Sequence, residues 1–264
     1  MQELTILAIY AGVGAFSGVI AGMMGVGGGI VIVPALLFLF IWQGFPADLL
    51  MHMAVATSLM TIVFTALSST WAHHRKGAVM WRLVWLLTPG ILVGSVIGAV
   101  VADYLPGDRL RIGFGIFECL VALQILSGIN PSPMRRLPQR SGLLLTGGGI
   151  GALSTILGIG GGTLTVPFLL WCNVNIRNAV ASSSACGLPI ALAGAVTMVV
   201  TGWDQEALPD GATGYIYWPA AVAIAVPSVL FAPLGARLAH RLPVATLRRI
   251  FALFLAIIGI RVLM

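Results

Sequence analysis

The sequence predicts an all-α polytopic membrane protein of about ten apolar segments, arranged as two inverted-topology five-segment repeats with glycine-broken helices where the repeats meet. Three observations carry that expectation. Hydrophobic residues make up 59% of the 264-residue chain and charged residues only 8%. A soluble domain carries roughly 25% charged residues, so lipid must serve as much of the solvent here. Apolar stretches long enough to enter a bilayer recur along the whole chain. One glycine motif also occurs twice, as Gly25-Val-Gly27-Gly28-Gly29-Ile-Val-Ile-Val-Pro34 and as Gly158-Ile-Gly160-Gly161-Gly162-Thr-Leu-Thr-Val-Pro167.

The segments read as 4–24, 28–42, 50–71, 81–102, 110–128, 142–157, 160–172, 178–201, 217–239 and 244–264. The first has no basic region before it, only Met1-Gln2-Glu3, which argues against a cleaved signal peptide. The second and seventh are short for full spans and read either as tilted crossings or as halves of hairpins. In the first and fourth segments, Gly14, Gly18 and Gly22, and Gly90, Gly94 and Gly98, recur at four-residue spacing, the mark of close helix contact in lipid, and Gly147 and Gly151 match Gly14 and Gly18 at the offset of the motif. Cys119, Cys172 and Cys186 fall inside apolar segments, too scattered for a metal site, and read as small packing residues. Trp71, Trp81, Trp203 and Trp218 stand at segment ends, as an interfacial belt requires.

Charge orients the segments. The net charge is +6, but the basic residues sit in short linkers between apolar runs, which points to membrane topology and away from nucleic acid. Arg75, Lys76, Arg82, Arg135, Arg136, Arg140, Arg177, Arg237, Arg241, Arg248 and Arg249 fall on one side, against Arg109, Arg111 and Arg261 on the other. Glu3, Asp48, Asp103, Asp108, Asp204, Glu206 and Asp210 share the second side. The Lys/Arg excess marks the cytoplasmic side. Both termini are therefore expected outside, with the 129–141 linker inside.

The repeat extends past the glycine motif. Ala54-Val-Ala-Thr-Ser58 matches Ala179-Val-Ala-Ser-Ser183, and Gly98-Ala99, Leu105-Pro106 and Leu110-Arg111 match Gly235-Ala236, Leu242-Pro243 and Leu247-Arg248. The expected organisation is a first membrane repeat at 1–128, a cytoplasmic linker at 129–141 and a second repeat at 142–264. Five segments per half make the second half enter from the opposite face. That design builds secondary transporters with a site near the midplane.

The candidate site residues follow. Gly25, Gly27, Gly28 and Gly29, with Gly158, Gly160, Gly161 and Gly162, let the backbone leave the helix and approach a ligand. Unwound backbone at membrane depth is tolerated only where it is buried in protein or lines a cavity. A helix starting after the break aims N–H groups and a positive dipole end there, which suits an anion. Tight helix packing is the competing explanation. A nucleotide loop is excluded, because Ile30 and Thr163 stand where a phosphate loop needs lysine. Neutral donors come from Thr57, Ser58 and Thr61 and from Ser182, Ser183 and Ser184, with interhelical or back-bonded roles as the alternative. Thr163, Thr165, Ser154 and Thr155 flank the second motif, whereas their counterparts Ile30, Ile32, Ala21 and Gly22 are apolar or small. The site is thus expected to be asymmetric, with more polar groups from the second half.

Glu118 is the one acid well inside an apolar segment. A carboxylate in lipid is expensive and often functional, which makes it a candidate for proton coupling, with a packing role as the alternative. His52 is expected at a surface or interface near the outer end of its segment. His73 and His74 beside Arg75 and Lys76 read as solvated, and Arg177 reads as a topology anchor or an attractor of anions at the inner mouth. No residue set proposes a metal site, a catalytic group or a cofactor.

These motifs and stretches resemble the sulfite exporter TauE/SafE family of bacterial membrane permeases. Length, the two-half layout and the basic central linker also fit. The resemblance implies a bacterial inner-membrane transporter without ATP hydrolysis, moving sulfite, an organosulfonate or a related sulfur-containing or organic anion by alternating access. H+ or Na+ is the coupling-ion candidate. The alternatives are a passive anion channel and an intramembrane enzyme, which would need converging acid, base or metal groups within the bilayer.

Overall fold

The computed structural model describes residues 2–24, 28–127, 137–238 and 244–264. The motif residues Gly25 and Gly27 and the linker residues Arg135 and Arg136 lie outside the described residues. The chain forms α1 (Gln2–Met24), α2 (Gly29–Trp42), α3 (Leu50–Arg75), α4 (Trp81–Tyr104), α5 (Gly107–Ser127), α6 (Arg140–Ile156), α7 (Gly162–Trp171), α8 (Ile176–Thr201), a hairpin of β1 (Ala212–Thr213) and β2 (Ile216–Tyr217), α9 (Trp218–Leu238) and α10 (Val244–Leu263). It is a polytopic all-α membrane protein. Among the described residues, six helices (α1, α3, α4, α5, α8 and α9) are long and apolar enough to cross a membrane.

Each apolar segment became one helix, and several helices run past the apolar run into polar residues. Asn175 caps α8 by accepting from the Arg177 N–H. Arg75 stands in the last turn of α3 and Asp108 in the first turn of α5, where their charges complement the helix dipole. With 14 and 10 residues, α2 and α7 reach about 21 and 15 Å at ~1.5 Å per residue. Neither spans a hydrocarbon core of about 30 Å. Both are half-helices that start at a glycine motif.

α3 and α8 form the central pair. The α3 span is 72% buried, against 28% for α1 and for α5. The other long pairings are α1 with α9, α4 with α6, and α5 with α10. All three join the halves, the first two along seams where glycine lies against backbone. Gly14 and Gly18 abut the Ile224 and Ser228 backbone, and Gly147 and Gly151 abut Leu87 and Ile91. In reverse, Gly98 abuts Ala152 and Gly235 abuts Val19. Each contact on one side has its counterpart on the other at the offsets of the sequence repeat. In both seams residue numbers climb together, so the paired helices run parallel.

The periphery presents large apolar side chains outward, among them Phe16, Trp85, Ile97, Leu120, Leu123, Val222, Leu230 and Ile257. They form the lipid-facing surface. The helix ends segregate charge as expected. Exposed Arg75, Lys76, Arg82, Arg140 and Arg177 gather at one end, and exposed Asp48, Asp108, Asp204, Glu206 and Asp210 at the other.

Candidate functional site

The second motif is the best described part of the site. α6 ends at Ile156, and its last turn closes through Gly158 N–H to Thr155 O (3.1 Å) and Ile159 N–H to Ser154 O (2.9 Å). With Gly158 at φ +65°, this is a Schellman termination, which requires a left-handed residue at that position. The chain then crosses Gly160 and Gly161 and enters α7 at Gly162. In the first motif Gly28 holds φ +76° and α2 begins at Gly29.

The two motifs touch. A Cβ on Gly29 would stand 2.7 Å from Gly158 O and 2.9 Å from Ile159 Cα. A Cβ on Gly158 would stand 2.9 Å from both Val55 Cα and Val33 Cγ2. Side-chain-free backbone is what permits this approach. Ser58 Oγ fastens the junction by donating to Gly158 O at 2.8 Å.

Beside the junction lies a narrow pocket, open on one side. Ala21 and Gly22 of α1, Ile62, Thr65, Ala66 and Ser69 of α3, Gly160 to Gly162, Ser183, Ser184 and Gly187 of α8, and Ala232 of α9 line it. These positions lie on the stretches of α3 and α8 that lead to Arg75, Lys76 and Arg177, so the pocket sits between the motifs and the basic end. No charged side chain lines it. An anion there would meet the free N–H groups and positive end of α7, together with hydroxyls. Ser69 Oγ donates to Ser184 Oγ (3.2 Å), Ser183 Oγ to Val180 O (2.9 Å), and Thr65 Oγ1 to the Thr61 and Ile62 carbonyls (both 3.2 Å). Hydroxyl hydrogens rotate. Redirecting one forfeits a neutral bond worth about 1 kcal/mol, and a bond to a charged acceptor is worth ~1.5–3 kcal/mol.

Not every expected site residue lies here. Gly160, Gly161, Gly162 and Ser183 line the pocket. Gly28, Gly29, Gly158 and Ser58 build the junction behind it. Thr57 accepts from the Tyr217 N–H at 3.0 Å, at the acidic end. Ser182 accepts from the Met80 N–H at 3.0 Å and ties α8 to the start of α4. Thr163 Oγ1 is buried without a partner on the first turn of α7. Glu118 is fully buried, with no partner for either oxygen, at the α5–α10 contact beside Gly259 and away from the pocket. Thr65 and Ser69 were not singled out from sequence, yet Thr57, Thr61, Thr65 and Ser69 recur every fourth residue along one face of α3, a signal open to reading.

The acidic end is closed. His52, expected at a surface or interface, is buried at the contact of α3 with the end of α4. Its Nε2 lies 3.1 Å from Ala102 O and 3.0 Å from Leu105 O, and its ring stacks on Tyr215 at 5.2 Å. The Tyr215 hydroxyl donates to Asp103 Oδ1 at 2.8 Å. Burial first, and the Asp103 carboxylate second, hold that phenol above its ordinary range, so it stays a donor. Tyr217 packs edge-on against Phe40 (5.8 Å) and Phe45 (5.1 Å). The β1–β2 hairpin thus folds inward against α3, α8 and α9 and caps the bundle. His74 is exposed and accepts from Trp81 Nε1, and no group of three or more metal-ligating side chains occurs among the described residues.

Residues 10–262 match the family described as sulfite exporter TauE/SafE. A protein of Haemophilus influenzae named "Probable membrane transporter protein" is 38% identical over 255 residues, covering 94% of each chain. A Bacillus subtilis protein of similar name is 28% identical, over 93% of each chain. One from Methanocaldococcus jannaschii is 26% identical, over 100% of this chain and 97% of its own.

Proposed function

The chain belongs to the sulfite exporter TauE/SafE family of membrane transporters, and from that premise we propose that it is a secondary transporter of a small anion, working by alternating access between two inverted halves. The observation that carries the reading is the pocket. It has no charged side chain and is framed by the glycine start of a half-helix and by hydroxyls from the central pair. Such a site holds an anion by neutral donors and a helix dipole, and releases it without breaking an ion pair. Sulfite, an organosulfonate or a related small anion offers the oxygen acceptors these donors need.

The parallel α1–α9 and α4–α6 seams support inversion, because each pairs the first helix of one half with the fourth of the other. With an odd number of segments per half, those helices run the same way only when the halves are oppositely inserted. With the basic end in the cytoplasm, the pocket faces inward and the aromatic cap closes the outside. The closed cap favours a carrier over an open channel. An intramembrane enzyme would need ionisable groups at the site, and none lines the pocket. Glu118, buried and unpaired, is the candidate proton carrier.

The test is counterflow of radiolabelled sulfite, taurine and simple carboxylates in proteoliposomes. The expected result is saturable uptake stimulated by substrate on the opposite side. The Gly161→Val variant should lose that uptake, because its side chain enters the pocket where a Cβ already stands 3.0 Å from Ile190 Cδ1, while its level in the membrane is unchanged. Flux indifferent to trans substrate would identify a channel.

A further inference from the structure

The contact symmetry maps the pocket onto a second place. The offset is 133 residues between α1 and α6 (Gly25 to Gly158), 125 between α3 and α8 (Ala54 to Ala179) and 137 between α4 and α9 (Gly98 to Gly235). Applied to the lining, these turn Ala21 and Gly22 into Ser154 and Thr155, Ala232 into Ser95, Ser69 into Gly194 and Ser184 into Leu59. The mapped residues are together in the fold. A Cβ on Gly194 would stand 3.0 Å from Leu59 Cδ1 and 3.2 Å from Thr155 Oγ1. A Cβ on Gly151, one turn before Ser154 and Thr155 on the same face, would stand 3.0 Å from Ser95 Oγ. The set lies on the acid-end side of the motif junction and is closed.

Its polar members are anomalous. Ser95, Ser154 and Thr155 are each fully buried, and each hydroxyl lacks a hydrogen-bond partner. A buried hydroxyl without a partner is costly, and three in one small region call for an explanation. From this we infer that Ser95, Ser154 and Thr155 form the outward-facing half of the anion site, closed in this structure and opened when the aromatic cap lifts. The inference rests on the alternating-access reading and deepens it. Hydroxyl donors to the anion come from α3 and α8 when the site faces inward, and from α4 and α6 when it faces outward. The unpaired hydroxyls disfavour the closed outer half and so keep the two states close in energy.

The experiment is thiol labelling in a background with Cys119, Cys172 and Cys186 replaced. Single Ser95→Cys, Ser154→Cys and Thr155→Cys variants, an inner Ser69→Cys variant and an exposed Gln205→Cys control meet a membrane-impermeant methanethiosulfonate from either face. The outer set should react from the acidic face alone, about 10- to 1,000-fold slower than the control, matching a minor state populated at ~0.1–10%. Ser69→Cys should react from the basic face. If the control reacts fully and the outer set stays silent while Ser69→Cys behaves as stated, the outer half-site is wrong and the inward pocket stands. If the outer set and Ser69→Cys react rapidly from both faces at once, alternating access itself is wrong. The Thr155→Val variant supplies a check independent of labelling. Removing a hydroxyl without a partner should leave the melting temperature unchanged or raised, and a fall would show the hydroxyl structurally engaged and overturn the inference.

Discussion

Ser58 Oγ is the one side-chain donor reaching Gly158 O among the described residues, at 2.8 Å. Ser58→Ala would leave that buried carbonyl short of a donor at the point where the motifs touch. The expected cost is about 1–3 kcal/mol, read as a lower melting temperature in detergent. Gly158→Ala should cost more. It adds left-handed strain of ~1–2 kcal/mol to the overlap with Val55 and Val33. Both substitutions separate stability from binding, since neither side chain lines the pocket. The sequence left open whether Gly158 faces a ligand or serves packing, and the hydrogen-bond pattern of Thr155, Ser154 and Ile159 adds that its φ is demanded by the end of α6. His52 was equally open, expected at a surface or interface. An isolated histidine near a helix end gives no sign that the carbonyls of another helix, here Ala102 and Leu105, will be its partners.

The glycine seams decide whether the helices of the two halves can come together. A Cβ at Gly94 would overlap Gly148 O, and one at Gly235 would overlap Val19 O. The obstacle in each case is backbone, which cannot rotate away. Gly94→Val should therefore exceed the ~1–3 kcal/mol typical of overpacking and deplete folded protein in size-exclusion chromatography. Gly149, one residue on from the seam, has nothing within 4 Å of its missing Cβ. Gly149→Ala should be neutral or stabilise by up to about 1 kcal/mol, the ordinary helix preference for alanine. If the two variants behave alike, the seams are not close contacts. The four-residue glycine spacing made these seams legible, as apolar length made the helices legible. The partner of each seam was not, because α1 meets α9 and α4 meets α6 across long stretches of chain, and periodicity on one helix does not name its neighbour. The β1–β2 cap was invisible for a different reason. Two-residue strands at 212–213 and 216–217 leave too short a pattern, and their position depends on Tyr215 and Tyr217 finding His52, Asp103, Phe40 and Phe45.

At the scale of the molecule, the separation of charge and the placement of the pocket give one prediction. α3 ends at Arg75 and Lys76, α4 and α6 begin near Arg82 and Arg140, and α8 begins near Arg177. Helix packing brings all of these to one face, because α3 and α8 are antiparallel (Ser69 beside Ser184, Leu59 beside Gly194) and α4 runs parallel to α6. The opposite face collects Asp48, Asp108, Asp204, Glu206 and Asp210. Short basic loops resist translocation, while acidic ones contribute little to orientation, so the face with the pocket is expected in the cytoplasm. In intact cells or spheroplasts, an impermeant thiol reagent should modify an Asp204→Cys variant and spare a Lys76→Cys variant until the membrane is opened. Modification of the Lys76→Cys variant alone would reverse the molecule and place the pocket outside, because the pocket and the basic residues share one end of the bundle.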